Sequence, residues 1–400
     1  MARKPIHWAF NALALRFFVA GILALSCSFH FAGEARAQGN SSPSPAPSAV
    51  PTTAPTAGPN VGGVLTVGVF HTSGVNAGGA LDDSSSVDVP RRADITNLLI
   101  NLSAPAGRLR ASATAGLYNF PTIGQAINQT YQLGANARLY SELPLAQVAY
   151  SLNQHVSVAA GKFAALLGQE SLFTYQNVNV QRGIGWAMEP VIGRGVRVTY
   201  LNNALTLTLE ANDAYYSGSG RAVEALIGYV PSANASVQFA AIVPGRNVGP
   251  NSTVSIGNKS EYNFMATRQI GKLQLLPYVL WVRSPASATL GYTRGESATA
   301  AVLIASYAIS PRLSLAVRYE DIRNASSTTD TSTNADLVGY GPGSRATSFT
   351  LTPALRVGPA LVRFEYSRVR LSSFAPGSAF GTNGRGNTQD RLSFETGLLK

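Results

Sequence analysis

The chain has 400 residues, a formal net charge of +11, one cysteine and 38 glycines, and only 13% of its residues are charged. A single cysteine excludes a disulfide framework. Arginines scattered singly among apolar neighbours argue against the clustered basic face of a nucleic-acid binder, and no Cys/His/carboxylate cluster at metal-ligand spacing, phosphate-binding glycine loop or nucleotide motif is present.

In chain order, Arg3 and Lys4 precede an apolar run from Phe17 to Phe29, followed by Ala35-Arg36-Ala37. That order predicts a cleavable secretory signal peptide over residues 1–37. The run is too short to span a bilayer as a helix, which needs about 20 residues. Cys27 follows Ala24-Leu25-Ser26, a poor match to the lipid-attachment box of lipoproteins, so lipidation is not the favoured reading. Arg3, Lys4, Arg16 and Arg36 against Glu34 supply three positive charges, so residues beyond 37 keep +8. Residues 38–61 are rich in Pro, Ala, Ser and Thr, which predicts an extended, disordered linker serving as a spacer or a tether.

From residue 62 to residue 400 the pattern is short runs of period-two alternation punctuated by Gly, Pro, Asn and Ser, the signature of strands. Strands are expected near Val64 to Phe70, Ile95 to Leu102, Leu109 to Tyr118, Gln147 to Leu152 and Val156 to Phe163. Val196 to Tyr200 and Leu205 to Glu210 flank Asn202-Asn203, and Val223 to Val230 and Ala235 to Val243 flank Pro231 to Asn234. Tyr262 to Gln269 meets Leu273 to Val282 at Ile270-Gly271, and Ala298 to Ile309 meets Leu313 to Asp321 at Ser310-Pro311. Thr347 to Val357 and Leu361 to Arg370 meet at Gly358-Pro359, and a last strand contains Arg391 to Leu398. The count is sixteen, rising to eighteen if Tyr131 to Tyr140 is a strand with a further partner. Long polar loops separate the pairs. Short turns on one side and long loops on the other are the asymmetry of an outer-membrane barrel. The expected fold class is therefore all-β: a transmembrane antiparallel β-barrel of about sixteen strands, with short periplasmic turns and long external loops.

Alternation divides the faces. Leu313, Leu315, Val317 and Tyr319 share one face, and Arg312, Ser314, Ala316, Arg318 and Glu320 the other. Val362, Phe364 and Tyr366 oppose Arg363, Glu365 and Ser367, and Leu392, Phe394 and Leu398 oppose Arg391, Ser393 and Glu395. In a membrane barrel the apolar face meets lipid and the charged face meets water. Tyr200, Tyr229, Trp281, Tyr319 and Tyr366 near strand ends fit interfacial girdles.

The segment Gln147-Val148-Ala149-Tyr150, then Gly161-Lys162-Phe163, then Leu167-Gly168-Gln169-Glu170, with Gly193 to Val198 downstream, resembles the β-barrel porin-2 family of bacterial outer-membrane proteins. The resemblance implies an outer-membrane barrel and passive transport.

The stretch from Ala164 to Ile192, with Glu170, Arg182, Trp186, Glu189 and Arg194, is the candidate for a loop that enters the lumen and narrows it. Arg197, Glu210, Arg318, Glu320, Arg356, Arg363, Glu365, Arg391 and Glu395 are the candidate lumen-lining residues. The expected function is a water-filled channel for small hydrophilic solutes or ions, with outer-membrane lipid as surroundings, no nucleic acid, no cofactor, and a homotrimer by analogy. An adhesin or structural anchor is the alternative. A barrel hydrolase would need a histidine beside a serine or carboxylate, and beyond residue 37 only His71 and His155 remain, expected on opposite sides of the membrane.

Overall fold

The computed structural model describes residues 59–76, 88–127, 140–213, 221–245, 259–330, 332 and 334–400. The expected signal peptide, residues 38–58 of the Pro-rich segment, and residues 131–139 of the ambiguous stretch lie outside the described residues. Strands run β1 (Asn60–Ser73), β2 (Arg91–Ala106), β3 (Leu109–Tyr118), β4 (Leu145–Ser151), β5 (Val156–Ala164) and β6 (Ile192–Leu201). They continue with β7 (Leu205–Asn212), β8 (Ala222–Ser232), β9 (Ala235–Pro244), β10 (Ser260–Ile270) and β11 (Leu273–Ser284). The last are β12 (Glu296–Ala308), β13 (Leu313–Asn324), β14 (Arg345–Val357), β15 (Ala360–Ser373) and β16 (Thr388–Leu399). Strand β1 begins at Asn60, two residues before the boundary expected from composition.

Every strand pairs antiparallel with its sequence neighbours, and β1 closes on β16 from Val64↔Leu399 to Ser73↔Asp390. Strand β3 pairs directly with β4, so the closed sheet has sixteen strands rather than eighteen. Closure satisfies every ladder without leaving an edge, which the hydrocarbon layer would not tolerate. Short turns such as Gly271-Lys272 and Gly358-Pro359 form one rim, and the longer connections, among them 165–191 between β5 and β6, join the strand ends at the other.

The outer surface is apolar. Leu98, Ile100, Leu209, Ile227, Phe364 and Leu398 are 45% to 57% exposed, a band that water would penalise at about 25 cal/mol per Å² and that lipid covers. Tyr229, Trp281 and Tyr319 are exposed among them, while Tyr200 and Tyr366 are half-buried.

The inward face falls into three chemical sectors. Midway along β2 to β4 it carries the uncharged polar Asn101, Ser103, Ser112, Thr114 and Gln147, with Leu99 buried beside them, Asp94 toward the long-loop end and Arg110 toward the short turns. On β8 to β12 it is mostly apolar, with Leu226, Ile242, Met265, Tyr278, Leu280, Val302 and Ile304 buried and Glu224, Glu261 and Asn263 set among them. On β13 to β16 it is charged, with Arg318, Glu320, Arg363, Glu365, Arg391 and Glu395 all at most 2% exposed. Alternation correctly describes the charged sector. It fails on β11 and β12, where the runs Leu275 to Val282 and Ala300 to Ile304 are apolar on both faces. Strands apolar on both faces must be covered by protein on the inside as well as by lipid outside.

Candidate functional site

What covers that inner wall is the third long loop, residues 165–191, which turns back into the barrel. Its Leu166, Leu167, Ile184 and Met188 join the inward residues of β8 to β12 in one cluster. Each such side chain contributes about 1.5–3 kcal/mol on burial. Ile123, in the segment that follows β3, enters the same cluster, and its N–H donates to Arg182 O at 3.0 Å.

The charged sector grips the loop's backbone. Arg318 Nη1 lies 2.6 Å from Glu170 Oε1 and donates to Gln181 O at 2.6 Å. Glu320 accepts from Ile184 N and Gly185 N, each at 3.0 Å. Glu365 accepts from Val180 N at 2.5 Å and Gln181 N at 3.1 Å. Arg363 pairs with Glu395 and donates to the carbonyls of Asn177 (2.7 Å), Asn179 (3.1 Å) and Thr174 (3.1 Å). Arg391 donates to Gln181 Oε1 at 2.7 Å and to Thr122 O at 3.1 Å. Irregular backbone at membrane depth needs such partners, because unsatisfied N–H and C=O groups buried away from water cost several kcal/mol each. Arginines offer forks of N–H donors and glutamates offer lone pairs. The alternating charges of β13, β15 and β16 are thus the sockets into which an irregular loop fits.

Within the loop, Glu170 also accepts from Gly183 N at 2.8 Å. The Arg182 guanidinium lies over both the Phe120 ring (5.1 Å) and the Trp186 ring (4.9 Å), which themselves stand 5.5 Å apart, a cation–π arrangement. Gly168 has φ +86°, and a Cβ there would stand 2.0 Å from Glu189 Oε2, so only glycine admits the Glu189 carboxyl. In the Gly161-Lys162-Phe163 motif the glycine has φ +147°, and a Cβ would meet Ala146 O at 2.1 Å where β4 and β5 approach.

Burial, with Glu170, Glu261 and Glu320 nearby, holds the Glu189 carboxyl well above the usual carboxylate range. A raised acid favours folding while protonated. The stability it contributes is complete below the ordinary carboxylate range and is lost as pH rises through the raised value. Glu189→Gln is therefore expected to flatten the fall of thermal stability with rising pH; melting of the two proteins across a pH series checks this.

Of the residues singled out in the sequence, Glu170, Arg182, Trp186 and Glu189 lie in the inward loop, and all four are buried. Arg194 does not. It belongs to β6, where period two places it with the exposed Val196 and Val198 on the outer face, 2.6 Å from Asp213. Arg197 faces inward, paired with Glu210 and stacked 4.4 Å from the Phe163 ring centroid. Arg356 has inward parity but stands exposed at the short-turn end of β14, so it marks the rim instead of lining the lumen. Sequence reasoning missed the loop's own anchors, Thr174, Asn177, Asn179 and Gln181. Glu224, which the alternation also turns inward on β8, accepts from Leu166 N at 2.5 Å.

Between the loop and the neutral sector a cavity of about 480 Å³ remains, lined by Asn101, Ser103, Ser112, Thr114 and Gln147 on one side and Gln169, Gln176 and Trp186 on the other, with the charged Lys162, Glu170, Arg197 and Lys400 also at its wall.

A family model described as "Putative beta-barrel porin-2, OmpL-like" matches residues 58–399. The chain belongs to this family. It is therefore an outer-membrane porin, a channel for small solutes, as the resemblance of its Gly161 and Leu167 motifs implied. The porin's fold is similar to that of in-vitro folded OmpT, an outer membrane protein of Vibrio cholerae, at 11% identity and a TM-score of 0.56 over 86% of this chain and 97% of that one. It is also similar to the outer membrane channel DcaP of Acinetobacter baumannii, at 12% identity and a TM-score of 0.54, covering 86% and 97%. A trimer form of OmpT matches at 10% identity and a TM-score of 0.54, covering 86% and 99%. No curated protein matches the porin.

Proposed function

We propose that hydrophilic solutes cross this porin by passive diffusion along the neutral sector, between the inward loop and β2 to β4, with the third loop as the constriction. The observation that carries the reading is the division of labour inside the barrel. The mostly apolar and the charged sectors are occupied by the loop, and the cavity lies against the sector richest in uncharged polar side chains. Charges inside the barrel are largely tied: Arg318, Arg363 and Arg391 are at most 2% exposed and donate to loop oxygens, and of the charged residues at the cavity wall Glu170 pairs with Arg318, Arg197 pairs with Glu210, and Lys162 Nζ donates to Tyr140 O and Leu143 O. Only a weak preference between anions and cations follows. Single-channel recording of the purified chain in a planar bilayer under a salt gradient tests this: discrete open steps with a reversal potential near zero are expected. A chain that inserts and never conducts would transfer the reading to an anchor or adhesin.

Transport without catalysis is part of the proposal. His155 lies in the short turn between β4 and β5, and His71 sits on the outer face near the long-loop end of β1, so neither joins a serine and a carboxylate in the lumen. Residues 1–37 act as a cleaved export signal in this reading. Assembly as a homotrimer has two supports: the trimer form of OmpT, and the small outward residues Ala111, Ala113, Ala146 and Ala160 on β3 to β5, which would let neighbouring barrels approach closely.

A further inference from the structure

The outer face of β13 to β15 changes character sharply along the strands. At the short-turn end it is apolar, with Leu313, Leu355 and Val357 exposed to 36%, 42% and 47%. At the long-loop end the same face carries Arg323, Arg345, Arg368 and Arg370 against two carboxylates, Asp321 and Asp390. The two carboxylates are taken: Asp321 lies 2.8 Å from Arg323, and Asp390 lies 2.7 Å from Arg368. The side chains of Arg345 and Arg370 are exposed and have no hydrogen-bond or ion-pair partner among the described residues.

Register brings these two together. Arg345 pairs across the ladder with Arg323, and Arg370 pairs with Thr347, two residues along β14 from Arg345. A diagonal neighbour of that kind stands about 7–8 Å away, within reach of two long side chains converging on one group. Directly toward the membrane centre the face continues as Tyr319, Phe349 and Phe364, exposed to 51%, 42% and 57%. Two unpartnered guanidinium groups above an aromatic and apolar strip match an amphiphile with an anionic head and acyl chains. Guanidinium forks bind phosphate oxygens in a bidentate manner.

We propose that Arg345 and Arg370, on the outer face at the long-loop rim, form a binding site for a phosphorylated lipid headgroup of the outer leaflet, with the lipid's chains lying along Tyr319, Phe349 and Phe364. Short turns face the periplasm in such barrels, which sets the long-loop rim in the outer leaflet. The site is independent of whether the lumen conducts.

Native mass spectrometry of the full chain in detergent, titrated with a diphosphorylated glucosamine-disaccharide lipid, tests it. The double variant Arg345→Gln/Arg370→Gln is expected to bind about tenfold more weakly, the loss of one to two charge-assisted contacts. Lys272→Gln/Arg312→Gln, which removes two charges at the opposite rim, is expected to bind as the native chain does. The same lipid stripped of phosphate should bind poorly, and inorganic phosphate should fail to compete. Equal binding by the native chain and the first double variant, or an equal loss in the second, overturns the proposal. Full competition by inorganic phosphate overturns the lipid as its ligand. All four positions lie on the surface, and retained heat-resistant migration of each variant shows that the barrel has formed.

Discussion

A porin in which residues Gly168 to Met188 are replaced by a short Gly-Ser turn is expected to conduct in steps several-fold larger than those of the native chain. A sixteen-strand barrel leaves an aqueous channel when nothing fills it, and here the third loop fills two of the three inner sectors. The enlarged channel carries a cost. Leu276, Tyr278, Leu280 and Val302, each at most 3% exposed in the native barrel, would face water, so the melting temperature is expected to fall in the same protein. Steps of native size from the shortened chain would show that the loop does not restrict flow.

The second large effect is expected at Arg363. Its guanidinium is 2% exposed, pairs with Glu395, and donates to three loop carbonyls. Arg363→Ala leaves the Glu395 carboxylate buried with the hydroxyls of Thr174 (2.6 Å) and Thr96 (2.7 Å) but without its ion-pair partner. Removing one partner of a buried pair typically costs about 3–5 kcal/mol. Urea unfolding of the lipid-embedded barrel reads the loss directly. Arg356→Ala, at the exposed rim, is the matched control and should stay within about 0.5 kcal/mol of the native chain. Arg363→Met combined with Glu395→Gln should recover part of the loss, because the uncompensated charge is gone. Equal stability of Arg363→Ala and Arg356→Ala would remove the charged sector from its role as the loop's socket.

The barrel itself was legible because its signals are local. Period-two alternation on β13, β15 and β16 and turn residues such as Gly271 and Gly358-Pro359 place each strand without reference to the rest of the chain. Strand β3 was placed to the residue, at Leu109–Tyr118. Arg194 was misplaced because loop residues carry no face, and the parity that sends it outward begins only where β6 does, at Ile192.

The lumen's division into sectors was less legible, since it depends on which strands lie opposite the loop, a long-range fact. Two signals pointed to it. The runs Leu275 to Val282 and Ala300 to Ile304 lack alternation, which in a membrane barrel means an inner face sheltered by protein. The connection between β5 and β6 also holds Leu166, Leu167, Leu172, Phe173, Ile184 and Met188, more apolar residues than a solvated loop needs. The anchoring roles of Asn177, Asn179 and Gln181 had no such signal, because amides in a loop read as ordinary polar residues until the arginines and glutamates they meet are in view.

The path itself can be tested one residue at a time, since Cys27 is the chain's single cysteine and lies within the expected leader. Current through the Ser112→Cys and Ser367→Cys variants is recorded while a bulky, water-soluble thiosulfonate is added. Ser112 lines the open cavity, whereas Ser367 is 2% exposed behind the loop. Progressive loss of current in Ser112→Cys with no change in Ser367→Cys is the predicted result, and block of Ser367→Cys with Ser112→Cys unaffected would contradict a path along the neutral sector.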